Sequence, residues 1–370
     1  MVETMRAARM HEVGGPMRID EVPRPTAFGS NVVVEVATCG MVPNLGNVLK
    51  NWPSWCPHLP QPELPAIFGL DPAGTVTEVG ENVIGIRAGD RVYVSPVRSC
   101  GACPPCLDGK RTECRLMTFG GYFGFQEESQ TLFDQYPHAG FGEFMLAPAY
   151  SLVKLPDNVS FEDASRLGYL GTAYSALKKA GHMGGKSVLI NGGTGTLGIG
   201  AVLFALALGA TKVMVTARNR ELLARVRQLD PRRVHVFSTE EGSIQPWVRS
   251  LTDGGGADYV LDTLGAVASL EVMKDAMLSV RRGGRIVNIG GTAGEMAIDV
   301  KWLMDDQIAF VGSVWFTTAE GYEMVEMMRA RIVDITGFEH RKHSLDEINE
   351  AINGVGSGDG GFTSYMVTPR

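Results

Sequence analysis

The spacing of apolar residues changes near residue 158. Before it, short strand-like runs such as NVVVEVAT (31–38), AGTVTEVG (73–80), DRVYVSPV (90–97) and GEFMLAPA (142–149) are punctuated by Gly, Pro and Asn. That texture predicts an irregular, mostly β domain. Within it, WPSWCPHLPQPELP (52–65) is too proline-rich for a helix or a central strand and reads as a long surface loop. After residue 158, buried strand-like runs (SVLINGG, KVMVTA, ADYVLDT, GRIVNIGG, AFVGSVW) alternate with helical stretches such as IGAVLFALALGA and RELLARVRQL. Such alternation predicts an α/β unit with a doubly wound parallel sheet. The segment FEHRKHSLDEINEAINGV reads as one more strand and an amphipathic helix.

Length and charge agree with this two-part reading. A chain of 370 residues is long for one ordinary core, so two domains are expected. The net charge of −7, with no basic stripe, argues against nucleic-acid and anionic-membrane partners and leaves small molecules as the expected ligands. The opening MVETMRAARMHEVGG carries acidic residues and lacks the apolar core of a signal peptide. The longest apolar run, 197–210, falls short of the roughly 20 residues that a membrane helix needs. A cytoplasmic protein is therefore expected.

The first α/β strand leads into Gly193, Gly195 and Gly198, a G-x-G-x-x-G that opens a helix. The first glycine permits the tight turn, the second lets a pyrophosphate approach the backbone, and the third lets helix and strand pack closely. The helix N-terminus then faces the phosphates, with Thr196 and Leu197 in its first turn. At the end of the next strand an NAD site usually places an acid against the ribose 2′-hydroxyl. Here Thr216, Ala217, Arg218 and Asn219 stand instead, and Arg218 could grip a 2′-phosphate, so NADP(H) is the expected cofactor.

Four of the six cysteines, Cys100, Cys103, Cys106 and Cys114, lie in CGACPPCLDGKRTEC. In a reducing compartment such a cluster is a metal site rather than a set of disulfides. Together with AGTVTEVGENV, GDRVYV, GFGEFMLAPAYSLVKLPDNVSFEDAS, GTAYSAL, GGTGTLG and GGGADYVLDTLG, it makes the chain resemble the zinc-type alcohol dehydrogenase superfamily of medium-chain dehydrogenases/reductases over nearly its whole length. The resemblance implies a GroES-like catalytic domain (1–157, with a zinc lobe at 95–116), a Rossmann domain (158–316) and a C-terminal segment (317–370) that completes the catalytic domain. It also implies one structural zinc per subunit on the four cysteines, a closed tetrahedral site with no position for substrate.

The ligands of the family's catalytic zinc are missing. The first falls at Met41 or Val42, the Gly-His-Glu triplet has become Gly69-Leu70-Asp71, and the third position is Gly168. Asp71 alone could not hold zinc. Cys39 and Cys56 read as bystanders. Reduction of a conjugated alkene asks less of the site than carbonyl reduction does, because charge spreads over an enolate. CGMVPN and GLDPAG also look like zinc-free quinone and enone reductases of the superfamily. The expectation is an NADPH-dependent reductase of an α,β-unsaturated carbonyl or quinone-like substrate. A zinc-independent carbonyl reductase and a catalytically silent NADPH-binding protein are the alternatives.

Tyr169, Asp71 and Asn44 adjoin the vacated ligand positions and are the expected catalytic residues, with Tyr122 and His138 as further candidates for the cleft. The family pattern carries the nicotinamide half onto Thr172, Thr263, Leu264, Ile289, Gly290, Val314 and Trp315. Trp52, Trp55 and Trp315 suggest an apolar or aromatic substrate. The strand AFVGSVW is where family members join Rossmann sheets, so a homodimer or homotetramer is expected.

Overall fold

The computed structural model describes residues 3–355 and 360–370. The strand Asn31–Gly40 organises the first half. It pairs antiparallel with Asp71–Val79, Phe144–Pro148 and Thr363–Thr368, and most of its residues are buried. These strands belong to a seven-stranded sheet continued by Arg91–Val94 and Leu152–Lys154 at one end and by Glu339–Ser344 at the other. A three-stranded sheet of Met17–Pro23, Thr4–Met10 and Ala66–Ile67 packs beside it.

The second half is a six-stranded sheet in the order Val234–Ser238, Lys212–Ala217, Ser187–Asn191, Ala257–Asp262, Val280–Asn288, Ala309–Gly312. All of its pairings are parallel. The order reverses between Ser187–Asn191 and Ala257–Asp262, which opens a ligand crevice at their C-terminal ends. Helix Thr196–Ala207 is apolar on nearly every face because it is covered by the sheet on one side and by helix Leu167–Ala180 on the other. Gly200 permits that helix contact, since a Cβ there would already lie 3.3 Å from Leu170. No described helix is long and apolar enough to cross a membrane.

Two expectations need correction. The proline-rich stretch is not all loop, because helix Leu45–Trp55 runs through Pro53. Proline lacks the N–H that would bond the carbonyl of Leu49. The amide of Gly14 takes its place at 3.0 Å. The tail also holds one strand more than its pattern suggested. Thr363–Thr368 runs parallel to Glu339–Ser344 and antiparallel to the end of Asn31–Gly40, with Met366 opposite Gly40. This pairing returns the C-terminal segment to the first sheet and closes the cleft from a third side.

Candidate functional site

A cleft of about 210 Å³ lies where the two halves meet. Met41, Pro43, Asp71, Arg166 and Tyr169 line it from the first half and the helix that follows, Gly195 and Thr196 from the glycine turn, and Gly360 and Thr363 to Tyr365 from the tail.

The turn has the geometry that a dinucleotide requires. A Cβ on Gly193 would fall 2.1 Å from Val215, and one on Gly198 would fall 2.4 Å from the Cα of Gly193, so neither position tolerates a side chain. At Gly195 a Cβ would meet only the Gly192 carbonyl at 3.5 Å, which leaves the open approach that a phosphate needs. Leu197, next to Thr196 in the first helical turn, is half-buried.

Several of the expected contact residues have their side chains engaged within the protein. Thr216 is fully buried; its carbonyl accepts from the amides of Gly192 and Gly193, and its hydroxyl donates to Asn191 Oδ1 at 2.8 Å. Asn191 in turn donates to Asp262 Oδ1 at 2.8 Å, and burial pushes the Asp262 carboxyl up to about 6. The hydroxyls of Thr263 and Thr172 are spent on the carbonyls of Asn191 and Gly168. Asn219 caps helix Arg220–Arg227 by accepting from the Leu222 amide at 3.0 Å. Arg218 is exposed, and no described residue pairs with its side chain. Leu264, Ile289 and Gly290 are half-buried beside the crevice, and a Cβ on Gly290 would lie 2.5 Å from the Leu264 carbonyl.

The four sulfurs of Cys100, Cys103, Cys106 and Cys114 lie within 4.8 Å of one another. Cys114 and Cys100 are 3.6 Å apart and Cys100 and Cys106 are 4.0 Å apart. Tetrahedral Zn–S bonds of about 2.3 Å place sulfurs about 3.8 Å apart, so the donors fit the ion. Backbone amides of Ala102 and Cys103 hold the Cys100 thiol down to about 6, which favours the thiolate that zinc needs.

Among the described residues no second cluster of three donors exists. Met41, Val42 and Leu70 are buried apolar side chains. A Cβ on Gly168 would fall 2.1 Å from Asp71 Oδ1, so the Asp71 carboxylate fills the space into which a side chain at 168 would project. The donor set does not fit a catalytic zinc.

Asp71 is 2% exposed, and Tyr93 donates to its Oδ1 at 2.7 Å. Burial pushes this carboxyl up to about 7, and the Tyr93 bond only partly offsets the rise. Tyr93 was not anticipated. Alternation in RVYV would set it apart from Val92 and Val94, yet all three are buried because the sheet is covered on both faces. Tyr169 is half-buried in the cleft, its hydroxyl bonds no described residue, and burial followed by the nearby Asp71 charge raises its phenol.

The other candidates lie elsewhere. Asn44 precedes helix Leu45–Trp55, accepts from Asn47 at 3.0 Å and does not line the cleft. His138 is lowered by burial, and its partner is the backbone of Pro23. Tyr122 is buried, and burial raises its phenol, with Tyr169 and Asp71 adding to the rise. Burial, then Asp71, pushes up the Cys39 thiol, and burial raises that of Cys56.

Trp52 stacks on Phe123 at 4.1 Å, and Trp315 lies 4.9 Å from Phe119 and 5.5 Å from Phe316. They are packing residues of one aromatic cluster, whereas Trp55 and Val314 are exposed. Trp315 has φ +55°, a region that bulky residues avoid, and its buried indole N–H has no described partner.

Comparison with known proteins agrees with this architecture. Residues 29–157 match the alcohol dehydrogenase GroES-like domain and residues 196–330 match the zinc-binding dehydrogenase domain. An alcohol dehydrogenase of Geobacillus stearothermophilus is 30% identical over 326 residues, covering 87% of this chain and 88% of its own. An L-threonine 3-dehydrogenase of Shewanella sp. (strain ANA-3) is 26% identical, covering 92% and 93%. The alcohol dehydrogenase of Aeropyrum pernix superposes with a TM-score of 0.80 at 27% identity over 98% of this chain and 100% of its own. A protein of Sinorhizobium meliloti 1021, solved bound to NADP, superposes with a TM-score of 0.82 at 21% identity over 99% of this chain and 100% of its own. The matched domains, the shared length and the four-cysteine lobe place this chain in the zinc-type alcohol dehydrogenase family of medium-chain dehydrogenases/reductases, as an oxidoreductase.

Proposed function

We propose that this chain is an NADPH-dependent reductase of the conjugated C=C bond of an α,β-unsaturated carbonyl or quinone-like substrate, working without a catalytic zinc. The observation that carries the reading is the Asp71 carboxyl, pushed up to about 7 in the space beside Gly168. A buried carboxyl held largely neutral supports the reading of a proton donor rather than a metal donor in the cleft. Bound in the crevice, the nicotinamide would supply the hydride that the β-carbon takes up. The displaced π electrons pass to the substrate oxygen as an enolate, toward which the unpartnered Tyr169 hydroxyl donates a hydrogen bond. Neutral Asp71 gives its proton to the α-carbon and is recharged from solvent.

NADPH is favoured over NADH because no acid stands at the end of Lys212–Ala217 and the Arg218 side chain is uncommitted there. The homodimer or homotetramer reading is supported by the open edge strand Ala309–Gly312, on which Phe310 is exposed.

The names of the relatives favour a second reading, carbonyl reduction at the same cleft without zinc. A panel of enones, quinones, ketones and alcohols, run with NADPH and with NADH, separates the two. The proposal expects alkene or quinone reduction with NADPH preferred. Ketone reduction alone, or NADH turned over with equal or better efficiency, overturns it.

A further inference from the structure

Among the described residues, Arg166 is the one basic side chain lining the cleft. It is 4% exposed, and no described carboxylate pairs with it. Asp163, whose charge reaches it, is already engaged by His340 at 3.1 Å and by Ser160 at 2.7 Å. The guanidinium donates instead to two neutral carbonyls, those of Gly361 and of Phe362, the latter at 3.4 Å. It lies over the Phe338 ring at 3.6 Å, and its Nε has no partner. A buried cation resting on carbonyls and a ring face, with no carboxylate in contact among the described residues, lacks the compensation that a paired one has, and an anion that reached it would gain strongly.

The position of these carbonyls says where the anion would lie. The amide of Gly361 donates to the Thr194 carbonyl at 2.8 Å, and a Cβ on Gly361 would lie 2.7 Å from the Thr196 nitrogen. The backbone that Arg166 grips is therefore pressed against the N-terminus of helix Thr196–Ala207, where unpaired amides favour negative charge. Guanidinium and helix end converge on one place from the two halves of the molecule.

We infer that Arg166 is a binding residue for the diphosphate of the dinucleotide, its guanidinium giving up the carbonyls of the tail for phosphate oxygens opposite the glycine turn. Arginine suits this role because its planar fork can hold two phosphate oxygens at once. The inference rests on the reading that the cleft takes a dinucleotide.

The test is calorimetric binding of three ligands, NADPH, ADP-ribose and adenosine 2′-monophosphate, to the full chain and to Arg166→Gln and Arg166→Lys. Only the first two carry the diphosphate. Arg166→Gln is expected to weaken both by about tenfold or more, as for a lost charge-assisted bond, and to flatten their salt dependence. Adenosine 2′-monophosphate should change by less than about twofold on the same scale. Arg166→Lys, which keeps the charge without the fork, should fall between and guards against a folding defect in the glutamine variant. Equal weakening of all three ligands would show that Arg166 merely holds the tail in place and would overturn the inference, as would unchanged binding of the diphosphates. Should the unsubstituted chain bind none of the three, the dinucleotide reading itself fails.

Discussion

Two places in this fold, the cysteine lobe and the cleft, differ in the donors they bring together. In the lobe, four sulfurs converge within 4.8 Å on an ion-sized space. In the cleft, Met41, Val42 and Leu70 are buried apolar side chains, and the Asp71 carboxyl fills the space beside Gly168. On the proposed reading the metal's structural duty and its chemical duty are separable, since the lobe keeps its four donors while the cleft carries a single buried carboxyl.

The sharpest way to break this contrast is to count and remove the metal. One zinc per chain is expected by elemental analysis, and a second bound at the cleft would overturn the account of the vacated ligands. Structural zinc binds with about 10–16 kcal/mol, comparable to the whole stability of a domain. Chelation or Cys106→Ser should therefore unfold the lobe, seen as a large fall in melting temperature together with lost protection of 100–114 in hydrogen exchange.

Asp71→Asn acts on the other side of the comparison. Turnover should fall by about 10²- to 10⁴-fold, the scale of a lost general acid, while Tyr93 can still donate to the amide oxygen. In the unsubstituted chain turnover should decline as pH rises through about 7, where Asp71 gives up its proton. The same shift sets a stability signature. A carboxyl raised from 3.8 to about 7 is protonated in the native state and ionised in the unfolded one across that window, so stability falls as pH rises through it. Above pH 7 the full cost is about 4 kcal/mol, from roughly three units at about 1.4 kcal/mol each. The asparagine variant lacks this cost, so its melting advantage should widen from pH 4 to pH 8; a constant gap would mean that Asp71 is not held neutral.

The parts of the molecule that could be read in advance are those whose physics is local. The cysteine spacing, the glycine turn and the strand–helix alternation each lie within a few residues, so the lobe, the dinucleotide crevice and the α/β half were legible. What escaped depends on chain segments that meet only in space. Tyr93 reaches Asp71 because Ala73 and Tyr93 are cross-strand partners. Arg166 is buried by a tail nearly two hundred residues away. Thr216 and Thr263 sit at the expected turns, but their hydroxyls are claimed by Asn191, a competitor visible only once the central strands are aligned. Pro53 misled because its missing donor is made good by Gly14, far away in sequence.

The mildest expected effect tests whether the vacated site has lost its room as well as its ligands. Gly168→Ala would push a Cβ to 2.1 Å from Asp71 Oδ1, and that oxygen is pinned by Tyr93 at 2.7 Å, so the carboxylate cannot simply swing aside. Overpacking of this kind costs roughly 1–3 kcal/mol. If Asp71 is the obstacle, Asp71→Ala in the same chain should recover much of that loss, and the two substitutions should be non-additive by at least about 0.5 kcal/mol in urea melts. Additive losses would place the strain elsewhere in helix Leu167–Ala180. Non-additivity would mean that Asp71 and a side chain at 168 compete for one volume, so that the space beside Gly168 is open to a side chain only when Asp71 has been removed.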